Sequence, residues 1–181
     1  MMVFIDIHKK ESDSFRLPVQ YVVRPHLNFR GFSGTIASGS ISVGDDITVL
    51  PSGKTSKVKS IVSNDIKDLR PIGKDETVET MEKAFAPMAT TITLEDEIDI
   101  SRGDMIVKSE DIPKVSNHLS AMVVWMDETP LTLNQNYIIK RATSVLNGTF
   151  NEVEFKKKIN TFEEVSADIL DLKDIAKVTI S

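Results

Sequence analysis

Residues 15–53 read FRLPVQYVVRPHLNFRGFSGTIASGSISVGDDITVLPSG, and the architecture is read outward from them. Three strand-like runs are separated by turn chemistry. In the first, Leu17, Val19 and Tyr21 alternate with Arg16, Pro18 and Gln20, the period of a half-buried strand. Pro18 has no backbone N–H to donate, so this strand is expected to lie at a sheet edge or to start pairing late. The second run, Arg30–Ser38, contains Gly31 and Gly34, where a bulge or a close backbone approach is expected. The third, Asp46–Leu50, is apolar at Ile47 and Val49 and stops at Pro51-Ser52-Gly53. Short, evenly spaced strands with glycine at the corners predict a small barrel.

Further along, Lys54–Ile61 and Ala86–Leu94 read as strands, the latter from its β-branched residues. Ser63–Glu82 has no sustained period and reads as a long loop with weak strands. Asp104–Val107 leads into a closing strand. Ser109–Asn117, with Pro113, reads as a connector to a second domain. That domain opens with the apolar run Leu119–Met126, expected to be buried on both faces. Asn136–Arg141, Phe150–Asn160 and Asp174–Ile180 follow as strands. Asn147-Gly148 is a hairpin signal, because both residues tolerate positive φ. The expectation is all-β: two small antiparallel barrels at 15–111 and 118–181, with residues 1–14 as a linker.

The motifs in this order carry a resemblance. The text RG-x-x-GT-x-x-SG from Arg30, then I-x-VGDD from Ile41 and ITVLPSG from Ile47, resembles the second domain of elongation-factor-Tu-like translational GTPases. FRLPVQYVVRP and FRGFSGTIASGSISVGD, with LEDEIDISRGDMIV at 94–107 and VVWMDETPL at 123–131, resemble one branch: the GTPase subunits of bacterial sulfate adenylyltransferases. The resemblance covers Phe15 to Ser181. It implies a translation-factor domain 2-like barrel followed by a domain 3-like barrel truncated at its C-terminus. It also implies an upstream GTPase domain that binds GTP and Mg, and a small partner subunit that carries out adenylyl transfer. Residues 1–14 would then join the barrels to the GTPase domain. The alternatives are a translation-factor-type module that binds tRNA or the ribosome, and a stand-alone protein-interaction barrel.

Bulk properties narrow the classes. The 181 residues are 40% hydrophobic and 27% charged, ordinary for a globular protein. A net charge of −5 argues against a nucleic-acid partner, whose binders carry basic patches. No cysteine is present, so disulfides and thiolate sites are excluded. No apolar run reaches the length of a membrane span, and Met1–Lys10 has the wrong flanks for a signal peptide. A cytoplasmic location without membrane contact is expected.

Candidate chemistry is sparse. Gly53-Lys54-Thr55 spells the tail of a phosphate-binding loop, but Thr48 stands where its first glycine is required and a strand follows instead of a helix. Glu95, Asp96, Glu97 and Asp99 lack the glycine and distal glutamate of a calcium loop and read as a solvated turn. Arg102-Gly103-Asp104 reads as a turn entering a strand, and Asn147-Gly148-Thr149 as a hairpin, not a glycosylation site. No nucleophile–base pair stands out around His8, His26 or His118, and His26 has no orienting carboxylate in its neighbourhood of sequence. No catalytic, cofactor-binding or metal residue is expected. The candidate surface is an interface: Arg24, His26, Asn28, Phe29, Arg30 and Gly31 in one loop, with Asn28 and Phe29 expected exposed, joined by Arg102 and Trp125. Arginine flanking an aromatic is the composition of an interface anchor.

Overall fold

The computed structural model describes residues 4–6, 14–24, 29–63, 80–141, 143–158, 160–161 and 163–181. These contain strands and no helix, so the chain is all-β. The strands run antiparallel in two compact units. The larger unit is Glu11–Lys114 with Arg141–Ser144; the smaller is Met1–Lys10, Val115–Lys140 and Val145–Ser181. In the smaller unit the chain begins with β1 (Phe4–Asp6).

The larger unit contains β2 (Arg16–Pro18), β3 (Tyr21–Val23), β4 (Gly31–Thr35), β5 (Ser40–Ser42), β6 (Asp46–Leu50), β7 (Thr55–Ser63), β8 (Thr80–Met81), β9 (Lys83–Phe85), β10 (Ala89–Leu94) and β11 (Met105–Lys108). Their order is β2-β11-β6-β7-β10-β4-β3; β8 pairs with β7, and β5 with β9 form a separate ladder. Closure comes from β2 returning to the chain after β4. Arg16 donates its N–H to the Ser38 carbonyl at 3.1 Å, and Ala37 donates to the Arg16 carbonyl at 2.8 Å. Pro18 lies on the terminal strand of this order, as its missing donor requires. Gly34 is the point of closest approach: a Cβ there would stand 2.3 Å from the Pro18 carbonyl oxygen. Leu17, Ile47, Val49, Ile61, Ile92 and Ile106 fill the interior with no exposed surface. Each such side chain contributes roughly 1.5–3 kcal/mol of burial.

The expected strand through Tyr21 divides in two. Leu17 and Val19 are buried, but Tyr21 is 65% exposed. Val19 donates to the Asp104 carbonyl and Gln20 to the Ser33 carbonyl, so the chain changes partner from β11 to β4 at this step. The alternation therefore ends at Val19. The expected loop 63–82 falls largely outside the described residues.

The smaller unit adds β12 (Leu119–Val124), β13 (Asn136–Arg141), β14 (Ser144–Lys157), β15 (Glu164–Val165) and β16 (Ile175–Ile180). The order is β1-β12-β16-β14-β13, with β15 on β14. Along β16, Ala176, Val178 and Ile180 face the core in strict alternation. Trp125, Tyr137 and Phe150 pack edge to face, with centroids 5.2–6.3 Å apart.

Two expectations are corrected in this unit. Leu119–Met126 is not buried on both faces: Leu119 and Met126 are each 45% exposed, and Val123 and Trp125 alone reach full burial. Its second face is open to solvent, as antiparallel sheets allow. Asn147-Gly148 is no turn but lies inside β14, which begins at Ser144. Gly148 serves closeness instead of turning, since a Cβ there would meet the Ile139 Cδ1 at 2.5 Å.

One local device occurs three times. In Ser42–Asp45, Ser101–Asp104 and Asp171–Asp174 the final aspartate accepts the N–H of the residue three before it, at 2.7–2.9 Å. The residue before each aspartate has positive φ: Gly44 at 86°, Gly103 at 101° and Lys173 at 71°. The next residue opens or immediately precedes a core strand, so each turn sets a strand's entry.

Candidate interface at the end of the first barrel

The β3–β4 ladder ends at the Val23–Gly31 pair, so Arg24 and Arg30 flank the mouth of its hairpin. Arg24 is exposed. His26 and Asn28, the other loop candidates, lie outside the described residues. Phe29 is half-buried, not exposed as its loop position suggested. Gly31 explains this, because a Cβ at 31 would lie 2.9 Å from the Phe29 ring and 2.5 Å from the Thr91 methyl. The missing side chain lets the ring fold onto the sheet.

Arg30 is held in place and only partly satisfied. Its Nη2 donates to Asp99 Oδ1 at 3.0 Å, and its guanidinium lies 5.6 Å from the Phe32 ring centroid. Its Nε is buried without an acceptor among the described residues. Phe29, Arg30, Phe32, Lys59, Ser60, Thr93 and Glu95–Glu97 are among the residues that line an open groove of about 250 Å³. Within this lining the Ser60 and Thr93 hydroxyls are hydrogen-bonded to each other at 2.6 Å.

Lys59 reaches this groove through a β-bulge. Thr93 pairs with Ser60 and Leu94 with Val58, leaving Lys59 as the extra residue. Sequence reasoning missed Lys59, although a signal was present: the core residues Val58 and Ile61 are three apart where a regular strand requires two. Asp96 accepts from Ser56 Oγ at 2.9 Å and donates its backbone N–H to the same hydroxyl at 3.2 Å; Asp99, assigned to a solvated turn, is exposed and also pairs with Arg30. No metal-binding cluster occurs among the described residues.

The other candidates separate from this surface. Arg102 is exposed in the Ser101–Asp104 turn, which is tied to the Val19 carbonyl through the Gly103 N–H at 3.0 Å. Trp125 is corrected outright: it is 1% exposed in the core of the smaller unit, its Nε1–H donating to the Thr129 carbonyl at 2.8 Å. A ring so enclosed has no face for a partner. His118 is exposed beside Ser116. No helix among the described residues is long and apolar enough to cross a membrane.

Comparison with known proteins places these features. A family profile described as GTP-eEF1A C-terminal domain-like matches residues 118–181. Sulfate adenylyltransferase subunit 1 of Sulfurovum sp. (strain NBC37-1) is 55% identical over 175 residues, covering 95% of this chain and 35% of the relative. The same subunit of Saccharophagus degradans is 49% identical over 172 residues, covering 95% and 34%. Among solved structures, sup35 complexed with GDP has a TM-score of 0.74 at 14% identity, covering 93% of this chain and 38% of that one. Sup35 complexed with GMPPNP has a TM-score of 0.70 at 15% identity. At those identities the likeness is one of fold, and it matches the translation-factor architecture expected from the motifs. The chain spans about a third of the length of the curated relatives it matches. Along nearly its whole length, then, this chain is a homologue of one segment of sulfate adenylyltransferase subunit 1.

Proposed function

We propose that the chain is the non-catalytic β-barrel region of a GTPase of the sulfate adenylyltransferase subunit 1 type. In this reading the parent protein couples GTP hydrolysis to the reaction of ATP with sulfate, giving adenosine 5′-phosphosulfate and pyrophosphate in the cytoplasm. GTP and Mg are held by a GTPase domain outside these residues. Adenylyl transfer belongs to a small catalytic subunit. The barrels transmit the nucleotide state through differential contacts with their neighbours, and only such differential contacts shift an equilibrium. The observation that carries this reading is 55% identity over 95% of the chain. The hairpin end at Arg24 and Arg30 is the surface assigned to docking, because a rigid barrel holds it and its chemistry is that of an anchor.

Two measurements test the proposal. The small subunit, co-expressed with the full-length parent, should co-purify and form adenosine 5′-phosphosulfate in a GTP-stimulated manner. Loss of neither association nor stimulation when the barrel region is deleted overturns the coupling role. Calorimetry of the 181-residue chain with GTP and Mg²⁺ should give no saturable heat. A saturable signal abolished by a Lys54 substitution would restore the phosphate-loop reading.

A further inference from the structure

One edge of the smaller unit's sheet is a strand from the start of the sequence. β1 and β12 flank the larger unit along the chain, and they pair antiparallel through Phe4↔Val124, Ile5↔Val123 and Asp6↔Met122. β1 ends the sheet order, so β12 holds it along one side only. The ladder is short, with three pairs against six between β12 and β16. Backbone alternation shows which amides hold it. Trp125 donates its N–H to the Asp174 carbonyl and accepts the Lys173 N–H, both on the β16 side. Successive residues of a strand turn these groups to opposite edges. Val124 and Met122 therefore face β1, and Val123 faces β16. In β1, Phe4 and Asp6 face β12, and the Ile5 N–H points to the open edge.

The two ends of the larger unit are tied to each other. Arg16 donates to the Asp111 carbonyl at 3.1 Å and to its carboxylate at 3.4 Å, and the Ser14 side chain hydrogen-bonds the same carboxylate. The chain thus enters and leaves that unit at one place. A displacement arriving from the N-terminal side meets the β1–β12 ladder first. We propose that β1 is a detachable strap through which the nucleotide state of the parent's GTPase domain reaches the smaller unit. The inference rests on the coupling reading above and names the element that carries it. Short edge ladders lie at the low-stability end of local opening. Peeling β1 bares the Met122 and Val124 backbone and leaves the β12–β16 ladder and the buried Trp125 in place. The two states then differ in one strand edge, and a ligand that distinguishes them shifts their ratio.

Hydrogen exchange at single amides tests the strap in the 181-residue chain. Asp6→Pro removes a donor of the ladder, Ile5→Pro removes one that points outward, and Asp6→Ala removes the side chain alone. Asp6→Pro should speed exchange at Met122 and Val124 about fivefold, the worth of one backbone hydrogen bond, with Val123 and Trp125 unchanged. Ile5→Pro and Asp6→Ala should leave all these amides as in the wild type. Equal effects of the two prolines, or none, overturn the inference. Coupling is read in the full-length parent with its small subunit. Met122 and Val124 should exchange about fivefold apart between the GDP and GTP-analogue forms. Asp6→Pro should reduce GTP stimulation of adenosine 5′-phosphosulfate formation where Ile5→Pro does not. Fast-exchanging amides with full stimulation in Asp6→Pro overturn the strap and leave the coupling reading standing. No GTP stimulation in the wild-type parent overturns the coupling reading and the strap with it.

Discussion

Gly34 and Pro18 leave no room for a side chain between them: a Cβ at position 34 would stand 2.3 Å from the Pro18 carbonyl oxygen. The obstacle is backbone of the strand that closes the first barrel, so it cannot rotate away. Gly34→Ala should therefore destabilise the chain by about 1–3 kcal/mol, the cost of forcing extra volume into a packed site. A urea titration checks this: the midpoint should fall with the slope unchanged. An unchanged midpoint would mean that β2 and β4 separate freely.

Arg30→Ala should lower stability by about 0.5–1 kcal/mol, somewhat more than an exposed ion pair alone is worth, because the side chain also covers Phe32. In the full-length parent the same variant should weaken docking by about 1–2 kcal/mol if Arg30 is an anchor. Melting and complex formation measured on the same variant separate these effects. Strong melting with normal docking would make Arg30 a structural residue.

Asp45 supplies an acid-sensitive contact. Burial pushes its carboxyl up, but the Lys108 ammonium at 2.9 Å and the Ser42 N–H outweigh that and hold it below its ordinary value of 3.8. A carboxyl depressed in the folded state binds its proton more readily when unfolded. Its contribution is thus complete above the ordinary value and is lost as pH falls below it, through the folded value. Asp45→Asn should lower stability at neutral pH and flatten the acid limb of the stability curve below about pH 4. Parallel acid limbs for the two proteins would exclude the contact as a contributor.

Lys173 holds φ at 71°, in the place that glycine occupies in the two sister turns. A left-handed backbone costs an ordinary side chain roughly 1–2 kcal/mol, and glycine gives back about 0.5–1 kcal/mol of that in chain entropy. Lys173→Gly should raise the midpoint of denaturation by up to about 1 kcal/mol equivalent. A fall in stability would show that the lysine side chain has a packing role that outweighs its strained backbone.

These cases also mark how far the residues alone could be read. The glycines of β4 and the strand at β16 were readable because one position's geometry decides them. Gly34 must admit a backbone, and Ile180 must face inward if Val178 does. Asn147-Gly148 misled because glycine answers two needs, positive φ and close approach, and the local sequence does not say which. Tyr21 misled because a strand that changes partners keeps its extended backbone while its buried face ends. The candidate surface divided along the same line. Arg30 was identifiable from its loop, whereas Asp99 is 69 residues away and becomes its partner only when the barrel closes. Trp125 belongs to the same class of error, since an aromatic at the end of an apolar run suits a core and an interface equally.

The edge-to-face cluster around Trp125 has an optical consequence. The chain has one tryptophan, and its indole is sealed in the smaller unit with Tyr137 5.9 Å away. Red-edge excitation therefore reports on that unit alone. Its folded emission should be blue-shifted, and the shift to the red on denaturation should follow the loss of the Trp125–Tyr137–Phe150 packing. Opening of the larger unit, whose single tyrosine is the exposed Tyr21, makes no direct mark on that signal.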